Sequence, residues 1–464
     1  MSTIGSYIRA AMQAASCPSR YALASLLALT LVVRLAALVM GADGLSRDPD
    51  NYRGLAMNLL ARGVLGQGET PSAYRPPLYP LLLVPCVAVG KWSSVAIGAL
   101  HLALGMATVG GVYWLGRRWR LGGGAWCAAA LTACDPVLVH QTTQVMTETT
   151  AAFLATAALI ALSFASERPT ARAVAGAGAC LALAALCRPT FLVALACVVP
   201  LVIRQSPTWS SRARQVVAGL VATAAVLVPW VLRNQAQLGR PIVSTTHGGY
   251  TLWLGNNSSY YAYLRRRRGS EVWRAADFDT EVLIARIASG GGSEVENDRR
   301  EYSEAWREIR EQPRMFLYAS LLRLCRFWGL VPHQLSEDEG RARRWGRYAT
   351  GAWYGLEFAI AMLGLWSIVR QAGEASPRPP VSTSHAPAVS ASHSPPVSAS
   401  HLPPPRLLPG LVLAASFTVV HMVFWTDLRM RAPVAPFVAL LAGAGTGWLI
   451  ASIMRRKAFA EKRL

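Results

Sequence analysis

The sequence is poor in charged residues, and acidic residues are the scarcer kind. Charged residues make up 15% of the 464 positions, whereas soluble domains average about 25%. Hydrophobic residues make up 53%, and Asp and Glu total 25 against 46 Lys and Arg, which gives a formal net charge of +21. This shortage of charge excludes an ordinary soluble domain and predicts an integral membrane protein.

The basic excess does not predict a nucleic-acid partner, because the basic residues cluster at the ends of apolar runs. That placement is typical of anchoring at an anionic membrane surface, so membrane lipids are the expected partners. The eight cysteines form no CxxC pair, and nearly all lie in or beside apolar runs. Free cysteine behaves there as a small hydrophobe, so we predict neither a disulfide framework nor a metal site.

The apolar runs have the length of membrane-spanning helices and do not alternate with polar residues. Only helices and closed barrels satisfy their backbone groups in lipid, so we predict an all-α membrane protein with about ten transmembrane helices. The first run contains Arg34 and is followed by further spans, which favours an uncleaved anchor over a signal peptide. The predicted spans are 21–41, 94–116, 122–140, 148–165, 173–188, 189–203, 214–232, 347–369, 408–426 and 433–453.

The short basic loops predict the orientation, because such loops stay on the cytoplasmic side. Ten spans place the N-terminus and all four loops there. These loops lie at 117–120, 168–172, 204–214 and 455–457. Segment 77–90 is read as a short helix on or dipping into the membrane, since a further span here would invert every later loop. The expected location is the cell (inner) membrane, with the active site on the extracytoplasmic side.

The predicted organisation is a single membrane domain, 1–464, with three inserted regions. Residues 42–93 form a first extracytoplasmic loop with interfacial helices, and 233–346 form a large second one. Residues 371–406 repeat a Ser-His ending every eight residues among prolines, a composition that predicts a disordered cytoplasmic linker. The four arginines at 265–268 are read as part of a solvated, mobile loop.

Several polar residues of the first loop are candidates for chemistry. Asp48 and Asp50 precede an amphipathic stretch from Tyr52 to Arg62, which predicts an interfacial helix. The two carboxylates can cap that helix or act as a general base, and the residues alone leave both roles open. Two prolines follow Arg75 and would hold it rigidly, either as a ligand or as part of a stiff connector.

Two later segments place charged residues at predicted outer helix ends. Asp135 ends one span and Glu148 opens the next, with His140 between them, so a short hairpin would bring both acids to the membrane surface. Capping remains an equal alternative for these acids. Arg429 and Arg431 lie in a very short outer loop, against the usual inward bias. They suit a phosphate ligand, or they reach toward lipid headgroups.

In order and spacing, a series of motifs resembles the C-superfamily (GT-C) membrane glycosyltransferases, which include protein O-mannosyltransferases and the lipid A aminoarabinose transferase. The resemblance spans most of the chain. Its motifs are Asp48 four residues before Tyr52, Ala56-x-Asn-Leu-Leu60, Arg75-Pro-Pro-Leu-Tyr-Pro80, Cys187-Arg-Pro-Thr190, Pro229-Trp-x-x-Arg-Asn234, Gly255-Asn-Asn257, Phe327-Trp-Gly329 and Arg429-x-Arg431-x-Pro433.

This resemblance implies that Asp48 is the catalytic base and that Arg75 contacts a lipid phosphate, with Tyr74 beside it. The aminoarabinose transferase has an Arg directly before the Tyr of the first motif. Asn51 stands there in this chain, and Arg53 lies one residue beyond the Tyr. The departure argues against assuming the same substrates.

The expected function is inverting transfer of a sugar from a polyprenyl-phosphate donor to a hydroxyl on a lipid, glycan or protein. No cofactor is required, and a divalent metal is optional, since arginines can stabilise the phosphate leaving group. A transporter or lipid flippase is the main alternative, and a non-catalytic scaffold is the second. The candidate residues are Asp48, Asp50 and Glu148 for catalysis, Arg75, Tyr74, Arg429, Arg431 and Arg53 for the donor phosphate, and Asp135, His140 and Tyr52 as further cavity residues.

Overall fold

The computed structural model describes the chain between residues 20 and 460, with gaps, and this part is mostly helical. The described residues are 20–203, 208–266, 273, 275–288, 291–334, 339–374 and 407–460. Most of the predicted linker at 371–406 lies outside them, as do Arg267 and Arg268 and the start of the basic loop at 204–214.

Eighteen α-helices and one short antiparallel hairpin make up the described part. The hairpin pairs β1 (Gly66–Gln67) with β2 (Thr70–Pro71). The helices are α1 (Arg20–Met40), α2 (Tyr52–Arg62), α3 (Leu78–Val87), α4 (Ser93–Arg118), α5 (Gly124–Cys134), α6 (Pro136–Thr142), α7 (Glu148–Glu167), α8 (Ala171–Cys187), α9 (Phe191–Ile203), α10 (Trp209–Leu238), α11 (Gly248–Gly255), α12 (Ser258–Arg266), α13 (Ala275–Ala288), α14 (Glu294–Glu311), α15 (Pro313–Phe327), α16 (Arg341–Glu374), α17 (Leu408–Val423) and α18 (Ala435–Ala460).

Within the described part, six helices are long and apolar enough to cross a bilayer. A helix rises about 1.5 Å per residue, so a hydrocarbon core of about 30 Å needs roughly 20 residues. The six are α1, α4, α7, α10, α16 and α18. Shorter apolar helices accompany them, among which α8 has 17 residues and α17 has 16. The protein is an all-α membrane bundle, as the sequence predicted.

The predicted third span, at 122–140, is not one helix, because the chain breaks at Asp135. Helix α5 ends at Cys134, and α6 begins at Pro136. Proline has no backbone N–H for a helix interior, but it fits a first turn. The Asp135 carboxylate caps α6 by accepting a hydrogen bond from the Leu138 N–H at 2.8 Å. The break therefore follows from two adjacent residues.

The segment predicted as the first outer loop, 42–93, contains two short helices. Helix α2 has the expected bounds and buries Tyr52, Leu55 and Ala56. Gly63 ends it with a φ of 70°, a left-handed conformation that glycine adopts without strain. Helix α3 has 10 residues and is about 15 Å long, too short to cross a bilayer. Segment 77–90 is therefore a short helix and not an extra span.

The second outer loop, between α10 and α16, is built from helices α11 to α15. Its most charged helix, α14, begins with a capping box at Ser293 and Glu296. The Glu296 N–H donates to the Ser293 hydroxyl at 3.3 Å, and the Ser293 N–H donates to the Glu296 carboxylate at 2.8 Å. Helix α14 packs against α11, which brings the start of α14 beside the first outer loop.

Glycines bring α5, α16 and α18 into close backbone contact. A Cβ atom on Gly124 would lie 2.0 Å from the carbonyl oxygen of Gly443. A Cβ atom on Gly364 would lie 2.0 Å from the carbonyl oxygen of Leu441. Small residues allow such close approach in membranes, where van der Waals packing and hydrogen bonds replace the hydrophobic effect between helices.

Three of the four basic loops and the candidate site lie at opposite ends of the bundle. Helix α7 runs from Glu148 to Glu167, and Glu167 lies 2.5 Å from Arg118 in the first basic loop. The Gln215 side chain on α10 donates to the carbonyl oxygen of Pro169 in the second basic loop. Three basic segments therefore meet at one end, while Glu148 opens α7 at the other end.

Candidate active site

A cavity of about 640 Å³ lies between the two outer loops and the ends of α7, α8 and α17. Three arginines and two carboxylates contribute to its wall, so the charged side chains that line it carry a net positive charge. The charged and aromatic lining residues are Asp50, Tyr52, Tyr74, Arg75, Glu148, Arg188, His247, Tyr250, Tyr302, His421, Phe424, Trp425 and Arg429. Such a wall is complementary to an anionic ligand.

Asp48 and Asp50 have different surroundings, although one residue separates them. The Asp48 carboxylate accepts a hydrogen bond from the Gly54 N–H at 2.9 Å, which caps α2. Asp48 is not among the residues that line the cavity, whereas Asp50 is. Asn51 adopts a left-handed conformation, with a φ of 59°, at the turn into α2. One Asp48 oxygen therefore caps α2 while the other has no hydrogen-bond partner, and Asp50 lies at the cavity.

Arg75 is held by one carboxylate and two aromatic rings. Its Nη2 atom lies 2.8 Å from Oδ1 of Asp50. Its guanidinium carbon lies 5.6 Å from the ring centre of Tyr52 and 5.3 Å from that of Tyr74. Cation–π contacts of this kind fix a planar guanidinium in one orientation. Arg75, Tyr74 and Tyr52, all predicted for the site, are thus brought together.

A second charged cluster centres on Glu148, whose side chain is 2% exposed. One of its oxygens lies 3.2 Å from Nη1 of Arg188 and 3.8 Å from Nε of Arg429. Arg429 also contacts Asp427 at 3.1 Å. Burial acts to lower the pKa of Arg429, but the carboxylates of Asp427 and Glu148 outweigh it and raise the pKa. Glu148 thereby holds two arginines at the cavity wall.

Aromatic rings form another part of the wall. The rings of Tyr74 and His247 lie 4.3 Å apart, and those of His247 and Tyr250 are stacked at 5.2 Å. Burial and the nearby arginines Arg75 and Arg286 lower the pKa of His247 to about 3. Burial also raises the pKa of Tyr74 to about 12. Both side chains are therefore neutral near pH 7.

Two arginines predicted for the phosphate site lie away from the cavity. Arg431 is 2% exposed and donates to the carbonyl oxygens of Phe327 and Gly329 at 3.1 and 3.0 Å. Its guanidinium carbon lies 4.2 Å from the ring centre of Tyr354. Arg53 donates to the Leu45 carbonyl oxygen and to the Ser94 hydroxyl. Both side chains contact the surrounding fold and neither lines the cavity, so this placement does not support their assignment as phosphate ligands.

Two further predicted cavity residues also lie outside its wall. Asp135 caps α6 and accepts the Tyr354 hydroxyl at 3.1 Å on each carboxylate oxygen. His140 is exposed and is not a lining residue. The hairpin that was expected to unite Asp135 with Glu148 therefore brings only Glu148 to the cavity.

Several lining residues were missed in the sequence. Arg188 follows α8 directly, and it was considered in the sequence only as part of the motif Cys187-Arg-Pro-Thr190. His247, Tyr250 and His421 were not considered. His421 could have been found, because it is a lone histidine in the apolar run at 408–426. Ionisable residues within membrane helices usually mark a functional site.

Comparison with known proteins gives one family match and several structural ones. Residues 74–232, about a third of the chain, match the family model described as dolichyl-phosphate-mannose-protein mannosyltransferase. That stretch includes Arg75, Glu148 and Arg188. A search of curated proteins finds no match.

Solved structures that are similar to the chain include those of two proteins. One is ArnT from Cupriavidus metallidurans bound to undecaprenyl phosphate, at 16% identity over 91% of this chain and 77% of that one, with a TM-score of 0.37. The other is the oligosaccharyltransferase from Archaeoglobus fulgidus in its apo form, at 13% identity over 96% of this chain, with a TM-score of 0.51. The chain spans 52% of that second protein, with which it shares a fold.

The matched stretch, 74–232, lies in a chain that is mostly helical where the structure describes it and shares the fold of the oligosaccharyltransferase. Three of the charged residues that line the cavity fall within this stretch. Over residues 74–232 the chain thus matches a family of membrane mannosyltransferases, and it has the fold of the Archaeoglobus fulgidus oligosaccharyltransferase.

Proposed function

We propose that the protein transfers a sugar from a polyprenyl-phosphate donor to a hydroxyl acceptor, with inversion at the sugar carbon. The observation that carries the proposal is the convergence of Arg75, Arg188 and Arg429 on one cavity that also contains the Asp50 carboxylate. The family description, which names a dolichyl-phosphate sugar, supports a lipid-phosphate donor.

The three arginines are the proposed ligands of the donor phosphate. Charge-assisted hydrogen bonds from guanidinium groups to phosphate oxygens are short and strong, and their planar geometry suits two oxygens at once. As the sugar carbon leaves, negative charge grows on the bridging phosphate oxygen. Donors that are already oriented toward that oxygen stabilise the transition state more than the ground state. Arg53 and Arg431 are left out of this set because the fold already uses them.

Asp50 is the proposed general base. The acceptor oxygen attacks the sugar carbon, the bond from that carbon to the phosphate oxygen breaks, and the acceptor proton passes to a carboxylate. A single displacement of this kind inverts the anomeric configuration. Asp50 is preferred because it lines the cavity, whereas Asp48, the residue implied by the resemblance, does not. Glu148 serves in this proposal to hold Arg188 and Arg429.

The reaction is proposed to take place on the extracytoplasmic side of the cell (inner) membrane, without an obligatory metal. The basic segments gather at the end of the bundle opposite to the cavity, and such segments favour the cytoplasm. Among the described residues, no group of three or more His, Cys, Asp or Glu side chains is arranged to hold a metal ion. The arginines supply the positive charge that the leaving phosphate needs.

Reconstitution tests this proposal against the transporter alternative. Purified protein in lipid vesicles would be given a panel of polyprenyl-phosphate monosaccharides together with hydroxyl acceptors, with and without a chelator. We expect release of polyprenyl phosphate, measured by mass spectrometry, and a product of inverted configuration, measured by NMR. A donor that crosses the bilayer uncleaved would instead show a transporter. Retained configuration would exclude the single displacement.

A further inference from the structure

His421 is a buried imidazole that lines the cavity and lacks hydrogen bonds. It lies near the end of α17 and is 5% exposed. Neither Nδ1 nor Nε2 has a hydrogen-bond partner. Buried polar side chains in native proteins are nearly always hydrogen-bonded, so an unsatisfied ring needs an explanation. A ligand in the adjoining cavity provides one.

The ring is held in place by apolar neighbours. The Phe327 ring lies nearly parallel to it, at 16° and 5.3 Å between centres, and the Phe417 ring lies at 6.1 Å. The side chains of Arg188 and Asp427 and the backbone carbonyl of Trp425 act on it electrostatically. Neither ring nitrogen makes a hydrogen bond of normal geometry with that carbonyl. The ring is thus oriented by its aromatic neighbours and not by hydrogen bonds to its nitrogens.

The bonding capacity of the ring indicates which part of the donor it meets. A neutral imidazole offers one donor and one acceptor. Phosphate oxygens at neutral pH mostly accept, and three arginines already face them in the proposed complex. A sugar hydroxyl both donates and accepts, so it can satisfy either nitrogen. His421 is therefore better matched to the sugar than to the phosphate.

We propose that His421 hydrogen-bonds a hydroxyl of the transferred sugar and selects donors that carry this hydroxyl. This inference rests on the proposed function and adds a specificity-determining residue to it. A site that hydrogen-bonds a substrate hydroxyl discriminates strongly against the analogue that lacks it, because the buried partner is then left unpaired.

The test compares the donor that the purified protein cleaves with its monodeoxy analogues. We expect wild type to use one analogue roughly 100-fold less efficiently than the parent, measured as kcat/KM. His421→Phe keeps a planar ring against Phe327 and removes both nitrogens, so the ratio should fall to within a few-fold. His333→Phe, at an exposed histidine outside the cavity, should keep the wild-type ratio. Binding of polyprenyl phosphate without sugar should be unchanged in His421→Phe.

A second measurement uses wild-type protein and does not depend on the folding of the variant. Protein with ¹⁵N-labelled histidine should show a shift of the His421 ring signal with the parent donor but not with the poorly used analogue. The missing peak in His421→Gln assigns that signal.

Three results would overturn the inference. If folded His421→Phe keeps the wild-type kcat/KM ratio between the donor and its deoxy analogue, the hydroxyl contact is excluded. The same follows if the parent donor does not shift the His421 ring signal. Both results leave the proposed function intact. Loss of binding to bare polyprenyl phosphate in His421→Phe would make the ring a phosphate ligand. If wild type cleaves no polyprenyl-phosphate sugar, the proposed function itself fails.

Discussion

The Glu294 carboxylate accepts a hydrogen bond from the Ser72 hydroxyl at 2.6 Å, across 222 residues of sequence. Its other oxygen accepts the Ala73 N–H at 2.8 Å and the Thr246 hydroxyl. Tyr74 and Arg75 follow Ser72 and Ala73 directly. One carboxylate from the second outer loop therefore holds the segment of the first outer loop that enters the cavity.

Replacing Glu294 with Ala should impair catalysis by releasing this segment. Hydrogen bonds to charged groups contribute about 1.5–3 kcal/mol each, and three are lost here. We expect KM for the donor to rise about 10-fold or more, with faster hydrogen–deuterium exchange at residues 72–76. Glu311→Ala, an exposed position on the same helix, is the matched control. Unchanged exchange and kinetics in Glu294→Ala would show that the loops do not depend on this contact.

Local patterns were enough to predict the elements of the first outer loop. The amphipathic spacing from Tyr52 to Arg62 predicted the bounds of α2, and the structure ends this helix at a left-handed glycine, Gly63. Asp135 was expected to end a span, but the predicted bounds 122–140 ran past the break at Asp135-Pro136, because the run continues to be apolar on both sides of it. A run of apolar residues indicates a segment buried in lipid, but it does not indicate where one helix ends and the next begins.

Side-chain direction within a turn could not be predicted from the sequence. Arg429 and Arg431 lie in one 3₁₀ turn, yet Arg429 faces the cavity and Arg431 faces Tyr354. The same holds for Asp48 and Asp50. Which member of each pair reaches the cavity depends on tertiary contacts, such as the one between Asp50 and Arg75, that join distant parts of the chain.

The three cavity arginines should bind phosphate, while Arg431 should support the fold. We expect Ala at Arg75, Arg188 or Arg429 to weaken binding of polyprenyl phosphate by about 1.5–3 kcal/mol, roughly 10- to 150-fold. Lys should rescue only in part, because it lacks the planar fork. Calorimetry or native mass spectrometry would measure the affinity.

Arg431→Ala serves as the contrasting variant in the same series. It should lower the unfolding temperature, because two carbonyl oxygens and the Tyr354 ring lose their partner. Its folded fraction should bind the lipid phosphate normally. Exposed Arg62→Ala should change neither property. Wild-type affinity in all three cavity variants would count decisively against the phosphate assignment.

Acid should destabilise the protein partly through His247. Its pKa in the folded protein is about 3, below the ordinary value of about 6.5, chiefly because of burial. Between these values the unfolded chain binds a proton that the folded protein does not, so stability is full above pH 6.5 and falls as the pH drops. At pH 5 the loss is about 2 kcal/mol. The unfolding temperature should fall less between pH 7.5 and 5 in His247→Phe than in wild type; an equal fall would contradict this.

The orientation predicts opposite accessibility for the linker and the second outer loop. A labelling site in the second outer loop must be exposed. Ser258 is exposed, whereas Tyr260, two residues later, is fully buried. In a cysteine-free background, a membrane-impermeant thiol reagent should label Ser258→Cys from outside the cell. It should label Ser390→Cys, in the linker, only after permeabilisation. Labelling of both positions from the same side would refute the ten-span topology.

Asn substitutions should separate the two aspartates of the first outer loop. Asp50→Asn keeps the size of the side chain but cannot accept the acceptor proton, so turnover should fall roughly 10²- to 10⁴-fold. Asp48→Asn retains a side-chain oxygen that can accept the Gly54 N–H, since Asn caps helices about as well as Asp. It should therefore leave turnover within a few-fold of wild type.

Asp48→Ala removes the cap and should cost about 1 kcal/mol of stability. Its folded fraction should still turn over, which distinguishes a lost cap from a lost base. Initial rates with the cleaved polyprenyl-phosphate sugar, at matched amounts of folded protein, measure all three variants. If Asp48→Asn loses turnover and Asp50→Asn keeps it, the base is Asp48, as the resemblance implies. The contact between Asp50 and Arg75 would then serve to hold the arginine and not to move a proton.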